Sequence, residues 1–204
     1  MPGLPDDHLM QYLLVAVLAY LVGAVPFAYL VVRALTGRDI RRMGSGNVGV
    51  MNTVRQAGMP AGILVFIAEG VKGVSALSVG RFIVGTDGAT LLAAFMALVG
   101  VNWSIFVGFA GGRGTTLSLF MLVQISLPAV LILAAVWLTV YAIKRTNFLA
   151  TRSVILLLPV VAWVLTSGDW RYVLCGLGMS SVLLLRHRRE TDDHLAIVEV
   201  PATN

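Results

Sequence analysis

Along this 204-residue chain the apolar positions gather in long uncharged blocks, and short polar segments between them carry almost all the charge. The blocks fall at about residues 9–32, 61–84, 89–109, 115–127, 129–143, 154–167 and 172–185. They lack the short amphipathic rhythm of a globular core, and several reach the roughly 20 residues that cross about 30 Å of hydrocarbon. The uncharged stretch from Gly114 to Ile143 is interrupted by Pro128. Because proline disrupts a helix interior, two short helices meeting there fit better than one very long span. The last two blocks are also short, and Ser167-Gly168-Asp169-Trp170 between them reads as a tight turn. The expected fold is therefore an all-α integral membrane domain of about seven transmembrane helices, some of them short or half-length. It occupies residues 1–189, with a short tail over 190–204.

Composition supports a bilayer protein. Hydrophobic residues make up 58% of the chain and charged residues 12%, against nearer half and a quarter in soluble domains. Mean hydropathy is +0.88. Asp6 and Asp7 stand where a cleaved signal would be basic, so the first block is expected to stay as a span. The single cysteine, Cys175, lies in an apolar run and reads as a small core filler; it allows no disulfide framework.

The net charge of +5 gains meaning from its distribution. Arg33, Arg38, Arg41, Arg42 and Arg55 follow the first block, Arg113 the third, Lys144, Arg145 and Arg152 the fifth, and Arg186, Arg188 and Arg189 the seventh. On a seven-helix reading these share one side, and Arg81 and Arg171 fall opposite, beside Asp87 and Asp169. The positive-inside rule then makes the basic side cytoplasmic, with the N-terminus outside and the C-terminus inside. Topology and attraction to anionic headgroups account for most of these arginines. No basic domain or aromatic-interleaved patch points to nucleic acid. No His, Cys or carboxylate cluster has metal-ligand spacing, and no Ser-His-Asp set emerges, so neither metal nor cofactor is expected.

Four polar segments carry candidate chemistry, all on the basic side or facing it. In Gly44–Arg55, Gly44, Gly46 and Gly49 can turn backbone N–H groups toward an anion, with Ser45, Asn47, Asn52 and Arg55 adding donors. An ordinary interhelical turn would use the same glycines. In Phe109–Thr116, Gly111, Gly112, Arg113 and Gly114 run straight into a helix whose first N–H groups suit a phosphate. A glycine turn with a snorkelling arginine is the alternative. Glu69 and Lys72, three apart within the second block, share a helix face and can pair, as a structural ion pair or at a site. His187 sits among Arg186, Arg188 and Arg189 at the end of the last block.

Together and in this order, these pieces resemble the bacterial acyl-phosphate:glycerol-3-phosphate acyltransferase family (the PlsY type). Its G-S-G-N-x-G-A-T-N-x-x-R is matched by Gly44, Ser45, Gly46, Asn47, Gly49, Asn52 and Arg55. Gly23–Phe27 and Asp39–Arg41 are similar to its G-S-I-P-F and D-I-R, and Glu69, Lys72 and Gly73 to its D-x-x-K-G. Phe109, Gly111, Gly112, Arg113 and Gly114 match F-x-G-G-K-G, and Arg186, His187 and Arg188 the closing R-H-R. The resemblance runs from about residue 12 to 189.

The resemblance implies a multi-pass enzyme of the bacterial cell membrane, working at the cytoplasmic face without acyl-CoA or acyl carrier protein. It would pass a fatty acyl group from acyl phosphate to glycerol 3-phosphate, giving lysophosphatidic acid and phosphate for phospholipid synthesis. Ser45, Asn47 and His187 would be catalytic. Gly44, Gly46, Asn52, Arg55, Lys72, Gly111, Gly112, Arg113, Gly114 and Arg186 would bind substrate, with the acyl chain between helices. The chain departs from the family at Met51 for threonine, Val101 for histidine, Arg113 for lysine, Phe148 for serine and Glu190 for asparagine. The departures set a second reading beside the first: a paralogue that binds or transports an anionic lipid or phosphometabolite without catalysis.

Overall fold

The structure, a computed structural model, describes residues 5–187; Arg188, Arg189, Glu190 and the 190–204 tail lie outside the described residues. The described residues are helical, with no strand among them. The helices are α1 (Pro5–Ala24), α2 (Phe27–Thr36), α3 (Val50–Ala57), α4 (Met59–Ile83), α5 (Asp87–Asn102), α6 (Thr115–Ile125), α7 (Leu127–Lys144), α8 (Asn147–Leu165) and α9 (Trp170–Arg186). Each of the seven apolar blocks is helical. Among the described residues five spans are long and apolar enough to cross a membrane: α1 with α2 taken together, α4, α5 with the 3-10 turn that follows it (Asp87–Val107), α7 and α8. At 11 residues α6 is too short for that, and α9 has 17. Pro128 does separate two helices. Ser126 caps α7 by accepting from the Ala129 N–H at 3.3 Å, and Pro128 sits in the first turn, where its missing N–H is harmless.

The first block, read as one helix, is broken at Val25-Pro26 into α1 and α2, and two further elements differ from the sequence reading. The second half of the Gly44–Arg55 loop is the helix α3, and α8 begins at Asn147 instead of near Val154. Both stretches are polar, so hydropathy alone does not mark them, yet both face the same cavity.

Close packing explains the small residues. Side chains at Gly23 and Gly100 would run into the backbone of Ala97 and Tyr20, so these glycines let α1 and α5 approach almost backbone to backbone. Gly80 does the same between α4 and α5. The main core joins α4, α5, α6 and α9 through Leu77, Leu98, Leu117, Met121 and Leu183. Outward positions such as Phe82, 88% exposed, present apolar surface, as lipid contact requires.

Two prolines open the backbone hydrogen-bond ladder, and neighbouring helices close it again. At the α1–α2 break, Ser104 donates to the Ala24 carbonyl and the Lys72 ammonium to that of Val25 at 3.0 Å. Pro159 inside α8 lacks the N–H that would bond Ile155 four residues back. Ser180 of α9 donates to the Ile155 carbonyl instead, at 2.6 Å, while Gly176 lies against Pro159. The Glu69–Lys72 pair on α4 is formed, at 2.7 Å, with both side chains buried.

Candidate functional site

The segment from Gly37 to Gly49 is folded by its own polar groups. Asp39 caps a short 3-10 turn over Ile40–Arg42 by accepting from the Arg41 N–H at 3.0 Å. The Arg41 guanidinium returns to the same carboxylate at 2.6 Å and donates to the Val107 carbonyl at 2.9 Å, tying this segment to the one after α5. Those Arg41 hydrogen bonds hold the Asp39 carboxyl down at about 2, below the usual aspartate range. Gly44 and Gly46 take positive φ of 52° and 71°, a backbone that side chains disfavour.

Asn52 is the centre of this loop. It is 2% exposed. Its amide nitrogen donates to the Met43 carbonyl at 3.1 Å and that of Asn47 at 2.9 Å, and its Oδ1 accepts from the Ser45 N–H at 3.3 Å. A side chain at Gly44 would strike that Oδ1. Asn52, Gly44 and Gly46 thus shape the loop that presents Ser45 and Asn47.

The glycine run before α6 is held in a comparable way. Side chains at Gly111 and Gly112 would meet the carbonyls of Val101 and Val48, so the three strands of backbone pass at close range. Arg186 of α9 donates to the Gly111 carbonyl at 2.8 Å and reaches that of Gly112 at 3.3 Å, with its guanidinium over the Trp103 ring at 5.9 Å. Gly114 takes a φ of 76° and starts α6 without a side-chain cap.

These segments enclose a polar cavity of about 270 Å³. Of the candidate residues, Ser45, Asn47, Asn52, Arg55, Arg113, Gly114 and His187 line it. Gly44, Gly46, Lys72, Gly111, Gly112 and Arg186 do not, and Lys72, Gly111 and Gly112 line a small separate hollow at the α1–α2 break. Lys72 faces the α1–α2 break, while its partner Glu69 lines the cavity. Val48, Thr115, Thr116, Asn147, Phe148 and Thr151 also line it, as do the departures Met51 and Val101. Asn147 and Thr151, one turn apart on α8 and 3.3 Å from each other, were missed as site residues because their helix begins earlier than hydropathy indicates. The i, i+4 spacing of two polar residues was the available signal.

The electrostatics favour an anion. The first residues of α3, α6 and α8 all lie on the cavity wall, and helix N-termini bring unsatisfied N–H groups and a positive dipole end. The α3 and α6 N-termini have no side-chain cap. Arg55 and Arg113 add cationic side chains to the wall, and the Glu69 carboxylate that also lines it is paired with Lys72 at 2.7 Å. Among the described residues no group of three or more His, Cys, Asp or Glu could hold a metal ion.

A second, apolar groove of about 530 Å³ runs between α6, α7, α8 and α9. It shares Thr115 and Thr151 with the polar cavity and continues past Leu122, Ala134 and Leu158 to Leu91, Tyr172 and Cys175. Measured along α6, from Thr115 to Ile125, it is about 15 Å long at 1.5 Å per residue, roughly one leaflet of hydrocarbon.

Comparison with known proteins agrees with this architecture. The family model described as glycerol-3-phosphate acyltransferase matches residues 13–196. A "Glycerol-3-phosphate acyltransferase" of Desulforudis audaxviator is 39% identical over 183 residues, covering 90% of this chain and 91% of the relative. "Glycerol-3-phosphate acyltransferase 2" of Moorella thermoacetica is 40% identical over 164 residues, covering 80% and 84%. Among solved structures, the crystal structure of PlsY, described as an integral membrane glycerol 3-phosphate acyltransferase in its glycerol 3-phosphate form, superposes with a TM-score of 0.75. That protein is 27% identical, with 87% of this chain and 88% of the other covered. By sequence across nearly its whole length, and by a helical membrane fold that matches, this chain belongs to the glycerol-3-phosphate acyltransferase family.

Proposed function

We propose that this chain transfers a fatty acyl group from acyl phosphate to the primary hydroxyl of glycerol 3-phosphate, releasing lysophosphatidate and phosphate. The observation that carries the reading is the junction of the two hollows. A polar cavity edged by three helix N-termini and two arginines shares Thr115 and Thr151 with an apolar groove about one leaflet long. That pairing suits a substrate with a phosphate head and a long apolar tail, held beside a second phosphate.

In the reaction the acceptor hydroxyl oxygen attacks the acyl carbonyl carbon, and the bond from that carbon to the phosphate oxygen breaks. The leaving phosphate takes the hydroxyl proton, so no dedicated protein base is needed. Arg55, Arg113 and the N–H groups of Thr115 and Thr116 neutralise the two phosphates, which otherwise repel each other at reacting distance. Ser45 and Asn47, presented by the Asn52-centred loop, and His187 complete the polar shell. The acyl chain lies in the α6–α9 groove. The cavity end carries most of the basic residues, which is the basis for placing it on the cytoplasmic side of seven spans, with α6 and α9 as the short ones.

Purified protein in detergent, given palmitoyl phosphate and glycerol 3-phosphate, is expected to release phosphate and form lysophosphatidate in equal amounts. Phosphate release no faster than from a Ser45→Ala variant would refute the assignment.

A further inference from the structure

Phe148 is where this chain carries a large aromatic in place of the family serine, and the structure gives that ring a definite task. Phe148 is the second residue of α8, and His187 directly follows the last residue of α9. Their rings stack with centroids 5.1 Å apart and planes inclined by 14°. Both residues line the polar cavity, and His187 is buried. Arg152, one turn further along α8, places its guanidinium over the Phe148 ring at 5.3 Å. The aromatic ring is thus fixed from its own helix while it meets the imidazole of another.

We propose that Phe148 is a positioning residue for the acyl-transfer reaction, its ring fixing the plane in which His187 faces the phosphate cavity. The proposal rests on the functional reading above. The physical reason lies in where the histidine sits. His187 is the C-cap of α9, at φ −101° and ψ 50°, and its N–H donates to the Leu183 carbonyl at 2.9 Å, so the helix end holds its backbone while the stacked Phe148 ring covers one face of its imidazole. A short hydroxyl side chain at position 148 could hydrogen-bond a neighbour but would leave the face of the imidazole uncovered. A phenyl ring instead fixes that face by area and by stacking, a contact worth about a two- to tenfold factor in an equilibrium. Arg152 strengthens the arrangement by restricting the ring that does the fixing. On this account the departure at 148 exchanges one means of holding the site for another and leaves the chemistry intact.

The test compares wild-type protein with Phe148→Ala, Phe148→Trp, His187→Ala and the Phe148→Ala/His187→Ala double variant. Two readouts are taken: kcat and KM with palmitoyl phosphate and glycerol 3-phosphate, and the His187 ring proton resonance, assigned by its loss in His187→Ala. Phe148→Ala is expected to lower kcat/KM about two- to tenfold and Phe148→Trp to restore most of it. In the His187→Ala background Phe148→Ala should add no further loss, because its effect runs through the histidine. The His187 resonance should lie upfield in wild type and Phe148→Trp and move downfield in Phe148→Ala. Losses that multiply independently, or a resonance that does not move, overturn the proposal. If wild-type protein turns over no substrate, the functional reading fails, and titration with inorganic phosphate still decides the positioning role. A phosphate-induced shift of the His187 resonance that is smaller in Phe148→Ala than in wild type supports it; an equal shift overturns it.

Discussion

The Arg186 guanidinium of α9 lies 2.8 Å from the carbonyl oxygen of Gly111, so the end of the last helix fastens the glycine run that starts α6. The arginine thereby sets where the α6 N-terminus points without lining the cavity itself. Arg186→Lys keeps the charge but loses the planar donor group that reaches both Gly111 and Gly112. Since hydrogen bonds from charged groups contribute about 1.5–3 kcal/mol, kcat/KM should fall about tenfold or more. Steady-state kinetics on the folded variant check this; an unchanged kcat/KM would remove the fastening role.

Asn52 and Ser45 should separate structure from chemistry. Asn52→Ala leaves the Met43 and Asn47 carbonyls without their donor, and an unsatisfied buried group costs about 1–3 kcal/mol. Thermal unfolding in detergent should show a lower Tm for Asn52→Ala, together with lost activity. Ser45→Ala should lose activity at nearly wild-type Tm. Equal Tm values for Asn52→Ala and wild type would contradict the loop-centre role.

The Asp39–Arg41 tie gives a pH signature. Folding lowers the Asp39 carboxyl from about 3.9 in an unfolded chain to about 2. A depressed carboxylate contributes stability in full above the unfolded value and loses it as pH falls through the folded one. Asp39→Asn should therefore be less stable than wild type at pH 7, with the gap narrowing between about pH 4 and pH 2. Unfolding series at pH 7, 4 and 3 measure it. A gap that stays constant over that range would exclude this carboxylate as the cause.

Ala134 lines the apolar groove, and Ala134→Trp should narrow it. If the groove holds the acyl chain, kcat/KM for palmitoyl phosphate should drop about tenfold or more while a four-carbon acyl phosphate is little affected. Equal losses for both donors would place the chain elsewhere.

Much of the scaffold was legible because the long helices coincide with apolar blocks, and the break at Pro128 follows from proline's missing N–H. The repair of Pro159 by Ser180 was not legible, since the two residues meet only through packing of α8 on α9. The loop motif located the cavity, but spacing could not tell a residue that faces a ligand from one that holds the backbone. Asn52 both lines the cavity and holds loop carbonyls, Arg186 holds the carbonyls of Gly111 and Gly112, and Lys72 reaches the Val25 carbonyl at the α1–α2 break. Asn147 and Thr151 escaped notice because a polar first turn of α8 looks like loop when read by hydropathy.

The central claim is that one cavity holds two phosphates, one of them the acceptor's, with Arg55 on its wall. The most direct measurement is the rate of phosphate release from palmitoyl phosphate as a function of glycerol 3-phosphate, in wild type and in Arg55→Ala. Wild-type protein should release phosphate only with acceptor present, matched by lysophosphatidate. Arg55→Ala should need about ten- to a hundredfold more glycerol 3-phosphate to saturate, at unchanged Tm. Release that ignores glycerol 3-phosphate in wild type, or identical saturation curves for the two proteins, would contradict the account.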